Sequence, residues 1–256
     1  MKDIINGYVT SETHKGITTI EFFHPQGNSL PRRLLEDLSN EIHAMGADTD
    51  TKVIVLRSGG DSAFCAGASF NELAQIDNDK KGFEFFSGFA NVINSMRRSP
   101  KLIIGRIHGK CVGGGLGLAA AVDYAIAHAS ADIRLSELAI GIGPFVVGPA
   151  IERKIGVSCF SQVAIDSSMW RNSDWAKRKG LFAEVHESTE GMDESIARLA
   201  HQLSHSSTEA MAELKKVLWR GTENWDELLF SRAEISGSLV VSEFTRAAIA
   251  KMQSKA

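Results

Sequence analysis

Two glycine-containing loops hold the residues whose types and spacing allow chemistry: Phe64-Cys65-Ala66-Gly67-Ala68-Ser69, and His108-Gly109-Lys110-Cys111-Val112-Gly113-Gly114-Gly115-Leu116. Each follows a strand-like apolar run and precedes a helix-like one. Glycine lets a backbone close on a ligand. Free amides at a helix N-terminus then hold an anion, or a carbonyl oxygen that becomes negative during reaction. Two such loops can supply one donor each. The plainer reading of the glycines is conformational, as tight turns and close helix packing.

Other chemistry is less well supported. Cys65 and Cys111 flank the loops, but no His and Asp are placed to make a thiolate nucleophile, and small buried side chains account for them. His108 beside the turn reads as a core histidine with its ring hydrogen-bonded. Gly115-Leu116-Gly117-Leu118-Ala119-Ala120 fits the dinucleotide pattern formally, with Glu137 about 20 residues downstream as a ribose acid. That pattern must follow its strand directly, yet five residues separate Ile107 from Gly113. No metal cluster, P-loop or G-x-S-x-G turn is present.

The elements that must position these loops alternate. Ile17–Phe23 reads as a strand closed by His24-Pro25-Gln26-Gly27, and Pro31 opens a helix carrying Leu34, Leu35, Leu38, Ile42 and Met45. Val53–Leu56 is a buried strand, followed by a loop from Ser58 to Ala68. A helix then bears Phe83, Phe86, Phe89, Ile93 and Met96 and stops before Pro100. Leu102–Ile104 resumes the sheet, Gly114 to Ala121 forms a small-residue helix, and Tyr124–Ala127 and Asp132–Leu135 are short strands. The alternation predicts an α/β fold with buried strands, and the chain from Asp193 reads as all-helical.

The charge balance excludes one class of partner. With 28 Lys and Arg against 31 Asp and Glu, there is no basic excess to neutralise a nucleic acid. The least polar stretch, Cys111 to Val122, is too short to cross a bilayer, so no membrane association is expected. The start carries an early acid and no apolar core, so no signal or transit peptide is expected. Three widely spaced cysteines argue against disulfides, and a cytoplasmic setting is expected. Lys251 and Lys255 read as solvated terminal lysines.

At the two loops together the sequence resembles the crotonase superfamily, the enoyl-CoA hydratases and isomerases, and the likeness runs through nearly the whole chain. Phe64–Phe70 is similar to the F-x-A-G-A-D-hydrophobic loop, and Ile107–Gly115 to the hydrophobic-x-G-x-x-x-G-G-G loop. Asn28-Ser29-Leu30 resembles the N-A-L turn near the nucleotide end of CoA. The resemblance implies an α/β fold built as a spiral of ββα units over 1–192. It also implies an all-helical trimerisation region over 193–256, giving a homotrimer or a dimer of trimers.

By that resemblance the amides of Ala68 and Gly114 form an oxyanion hole for an acyl-CoA thioester, and Glu137 moves the proton. Ser29, Leu30, Ala66, Gly67, Ser69, Phe70 and Gly113 complete the acyl-CoA site, with no metal and no cofactor beyond the CoA of the substrate. A second family acid falls on Gly117, which cannot titrate. Hydration in the family is attributed to two carboxylates, whereas shifting a double bond needs one base, so isomerisation is favoured. The alternatives are an enoyl-CoA or methylglutaconyl-type hydratase, and a non-catalytic acyl-CoA binding subunit. Ser69 stands where the loop usually has Asp, and Gly141–Gly148 replaces a more glycine-rich segment, implying an unusual acyl pocket.

Overall fold

Pairs of strands alternate with helices along the chain. β1 (Tyr8–His14) and β2 (Ile17–Phe23) lead into α1 (Arg32–Ala47). β3 (Val53–Ser58) and β4 (Ala63–Cys65) lead into α2 (Phe70–Leu73) and α3 (Asp79–Arg98), and β5 (Leu102–Ile107) and β6 (Lys110–Val112) into α4 (Gly114–Ala121). β7 (Tyr124–His128) and β8 (Ile133–Arg134) precede a 3₁₀ turn, Leu138–Ile140, and α5 (Gly148–Ile165). Then follow α6 (Ser173–Arg178), β9 (Glu184–His186), α7 (Thr189–Ser204), α8 (Thr208–Leu218), α9 (Trp225–Val240) and α10 (Glu243–Gln253). The computed structural model describes residues 2–253; Lys255 lies outside the described residues.

The strands divide between two sheets. A six-stranded sheet runs β1-β2-β3-β5-β7-β9, and a three-stranded sheet runs β4-β6-β8. From the second pair onward, the first strand of each pair joins the large sheet and the second joins the small one. The β1–β2 pair is antiparallel and every other pairing between these nine strands is parallel. This is the α/β architecture that the alternation predicts, in the ββα units that the resemblance implies, with helices closing the chain.

Period-two burial sets the two faces of the large sheet. Ile54 and Leu56 point into the main core, while Val53 and Val55 join Ile104 and Ile126 beneath Met192, Ile196 and Ala200 of α7. Helix α9 lies along α3 at glycine contacts, where a Cβ on Gly82 would sit 2.5 Å from the Gly237 carbonyl oxygen. Among the described residues no helix is long and apolar enough to cross a membrane.

Four strands escape the sequence reading for physical reasons. β1 is an edge strand whose residues are half-buried or exposed, so it lacks an apolar stripe. β4, β6 and β9 have three residues each, too few to display a period. The segments read as catalytic loops therefore each contain a short strand of the small sheet.

Candidate active site

The small sheet gathers the candidate residues because its strands are parallel and adjacent. The Ala66–Ser69 loop leaves the carboxyl end of β4, Gly113 that of β6, and Ser136-Glu137 lies just beyond β8. Parallel α/β sheets bind ligands outside these ends. With β6 in the middle, the Gly113–Gly114 corner is flanked by the Ala68 loop on one side and by Glu137 on the other.

The first loop is held from below. Asn28 adopts a left-handed φ of 56°, and its Nδ2 donates to the Gly59 and Ala63 carbonyls at 2.9 and 2.8 Å. The turn it fixes offers the Gly27 carbonyl to Ala66 N–H and ties Leu30 to both Gly67 O and Ser69 N. Ala68 N–H, between those two bonds, donates to no group among the described residues. Gly67, at φ 91°, permits the close approach of the second loop, since a Cβ there would lie 2.7 Å from Val112 O and 3.3 Å from Gly114 N.

Helix α4 supplies the second donor. Gly113 turns with φ 52° and bonds through its N–H to Arg134 O, which leaves Gly114 as the first helical residue with an uncommitted amide. Side chains are excluded around it. A Cβ on Gly114 would lie 2.2 Å from the Phe89 ring, and one on Gly115 2.2 Å from Cys65 O. Two amides without an acceptor among the described residues thus lie in the wall of one apolar cavity. Such donors stabilise a developing oxyanion without reorganising.

Glu137 stands over this corner. Its Oε1 lies 2.7 Å from where a Cβ on Gly113 would be, so only glycine there leaves the carboxyl its place. The residue is half-buried, but its carboxyl is enclosed, and Oε2 has no hydrogen-bond partner among the described residues. Burial raises its pKa to about 7, against a smaller opposing pull from nearby backbone amides and the positive Arg134. At neutral pH the group is poised both to take and to return a proton.

Of the residues predicted from sequence, Ala66, Gly67, Ala68, Phe70, Gly113, Gly114 and Glu137 line this cavity of about 60 Å³. Ser29 and Leu30 do not. Both are buried beneath the first loop, where Leu30 fixes its backbone and Ser29 Oγ pairs with His24 Nδ1 at 3.2 Å. Ser69 lines a neighbouring surface cavity with His24 and Arg33.

Phe86 and Phe89 of α3, Ile140, Phe145, Val147 and Ser236 of α9 also wall the site, and the sequence reading missed them as site residues. The departure at Gly141–Gly148 was the available signal for Phe145 and Val147. Ser236 gave none, because α9 reaches the cavity only through its packing on α3.

Several rival readings are resolved by burial. The glycine pattern from Gly115 to Ala120 lies inside α4 and is buried throughout, so it cradles no phosphate. The thiols of Cys65 and Cys111 are fully buried; burial pushes Cys65 up to about 12 and Cys111 well above its ordinary value, which removes both as nucleophiles. His108 corrects the expectation of a hydrogen-bonded core histidine. Both its ring nitrogens are enclosed without a partner among the described residues, and burial lowers its pKa. At Gly117 a Cβ would lie 2.5 Å from Val147 Cγ1, so Val147 fills the space in which an acid would project.

Pairs of strands divided between two sheets thus bring the Ala68 and Gly114 amides and the enclosed Glu137 carboxyl to the wall of one cavity. Residues 12–240 match the model of the enoyl-CoA hydratase/isomerase family, and the chain belongs to that family. It is 30% identical over 217 residues to the mitochondrial methylglutaconyl-CoA hydratase of Mus musculus, covering 83% of this chain and 68% of that one. It is 28% identical over 250 residues to the peroxisomal bifunctional enzyme of Homo sapiens, spanning 94% of this chain and 32% of that protein. An enoyl-CoA hydratase structure from Bacillus halodurans shares the fold, with a TM-score of 0.87 at 23% identity over 95% of this chain and 99% of that one.

Proposed function

We propose that this chain is an enzyme that moves a double bond within an acyl-CoA thioester through an enolate held by the Ala68 and Gly114 amides. Glu137 removes the proton at C2, the electron pair delocalises onto the thioester oxygen, and the same carboxyl returns the proton at C4. The double bond passes from C3–C4 to C2–C3. Oxidation level is conserved, so no cofactor is required beyond the CoA carried by the substrate.

The observation that carries this reading is the single carboxyl in the cavity wall, with Val147 packed where a second acid would project from Gly117. One base serves isomerisation, whereas water addition is assigned two in this family. A hydratase reading is favoured by one observation, the 30% identity to a methylglutaconyl-CoA hydratase. A non-catalytic acyl-CoA binding subunit is separated from both by turnover.

Rates on matched substrates test the assignment. The parent should convert 3-enoyl-CoA to 2-enoyl-CoA faster than it hydrates 2-enoyl-CoA, and hydration without isomerisation would overturn the reading. Gly117→Glu alone collides with Val147, so the informative variant is Gly117→Glu with Val147→Gly. It should raise hydration relative to isomerisation. The reading further places the chain in the cytoplasm, as a homotrimer or a dimer of trimers. Exposed Val157 and Ile165 of α5 and Leu214 and Val217 of α8 support an apolar subunit contact.

A further inference from the structure

The wall of the acyl cavity contains no cation. Among the described lining residues the only ionisable side chain is Glu137, and the rest of the wall is dominated by Phe, Ile, Val, Leu and Gly. An acyl group ending in a carboxylate would lose its hydration there without a partner. It would also share a small space with another carboxyl, which repels a second negative charge.

One ring is shared between this cavity and its neighbour. Phe145 folds back over Gly143, whose Cβ, if present, would lie 2.4 Å from Phe145 Cζ, and Phe145 N–H donates to Gly143 O at 2.8 Å. Gly143, Pro144 and Phe145 also wall a second cavity of about 340 Å³, mostly apolar through groups such as Leu138, Phe160 and Ile165, with Glu152 and Arg232 also in its wall. Phe145 therefore stands as a partition between a small compartment beside the oxyanion donors and a larger one behind it. Val147, seated against Gly117, adds to the wall of the small compartment.

We propose that the site takes short, uncharged acyl chains, and that Phe145 sets their length by closing the acyl cavity off from the apolar cavity behind it. The inference rests on the acyl-CoA reading and sharpens it to a substrate class. It sets aside dicarboxylic acyl groups such as methylglutaconyl.

Calorimetric binding of butyryl-, decanoyl- and glutaryl-CoA to the full chain tests it, alongside turnover of the matching 3-enoyl esters. The parent should bind decanoyl- and glutaryl-CoA at least about tenfold more weakly than butyryl-CoA. Phe145→Ala should raise the decanoyl-to-butyryl affinity ratio by about tenfold. Phe145→Leu should move the ratio the same way by less, and it serves should the alanine variant fail to fold. Equal binding of the three esters by the parent would overturn the proposal. So would a folded Phe145 variant with an unchanged ratio. Binding in the expected order without turnover would leave the length assignment standing and overturn the catalytic reading, whereas binding of none would overturn both.

Discussion

Glu137 and Asp123 are both carboxylates withdrawn from water, and their surroundings differ in nearly every respect. Asp123, at the entrance to β7, has a side chain only 5% exposed. Its Oδ1 accepts from Trp219 Nε1 at 2.8 Å, and its Oδ2 from Ile103 N–H at 2.8 Å and Lys215 Nζ at 3.0 Å. Its own carbonyl accepts from Lys154 Nζ at 3.1 Å, and burial lowers that lysine to about 8. Lys215 and Trp219 come from α8 and its C-cap, so Asp123 fastens the C-terminal helices to the sheet. Glu137 has an oxygen with no partner and a pKa displaced upward. A carboxylate with both oxygens engaged stabilises the fold, and one with an oxygen left unengaged in an apolar wall is, in the proposed mechanism, the group that takes the substrate proton.

The same chemical change at the two positions should therefore produce opposite phenotypes. Glu137→Gln should lower turnover by roughly 10²-fold to 10⁴-fold, the range for losing a positioned general base, while acyl-CoA affinity persists. Steady-state rates beside calorimetry check this, and near-parental turnover would remove Glu137 from the mechanism. Asp123→Asn should instead cost about 3–5 kcal/mol of stability, because Lys215 is left as an uncompensated buried charge. Denaturant unfolding measures it, and the rate per folded molecule should stay within a few-fold of the parent.

The pH dependence sharpens the contrast. The folded pKa of Glu137, about 7, lies above its unfolded value of 4.5, so the folded state binds more protons between those values. Stability should fall as pH rises through that window, by roughly 3 kcal/mol in total, and Glu137→Gln should abolish this slope. The kcat/KM of the parent should rise over the same range as the carboxylate forms, with an acid limb near pH 7. A flat profile would show that the proton is moved by another group. The smallest effect is expected from Gly113→Ala, whose methyl would displace the Glu137 carboxyl. A misplacement on the order of 1 Å costs about 10²-fold in rate. A folded variant at parental rate would separate the position of the carboxyl from its function.

Part of the site is legible in the sequence. The Ala66–Ser69 and Gly113–Gly115 motifs identify the two loops, and period-two and helical spacing give β2, α1, β3, α3 and β5. The anchoring role of Asp123 is not legible there, since its partners lie 92 and 96 residues onward in Lys215 and Trp219 and carry no local signal. Phe86, Phe89 and Ser236 were unreadable as site residues for the same reason. A residue on a helix shows its apolar face in the pattern, but not which cavity that face will meet.

The sequence by itself determined the backbone chemistry: glycines where φ must be positive or where a side chain would collide, and a carboxyl three residues beyond β8. Tertiary structure alone decided the electrostatics and shape of the site. Whether Glu137 is buried or solvated depends on which walls enclose it. Whether Gly117 leaves room for an acid depends on Val147, 30 residues away in the chain. Desolvation and steric exclusion are properties of what surrounds a group, and the surroundings of Glu137 are assembled from four stretches of chain that only folding brings together.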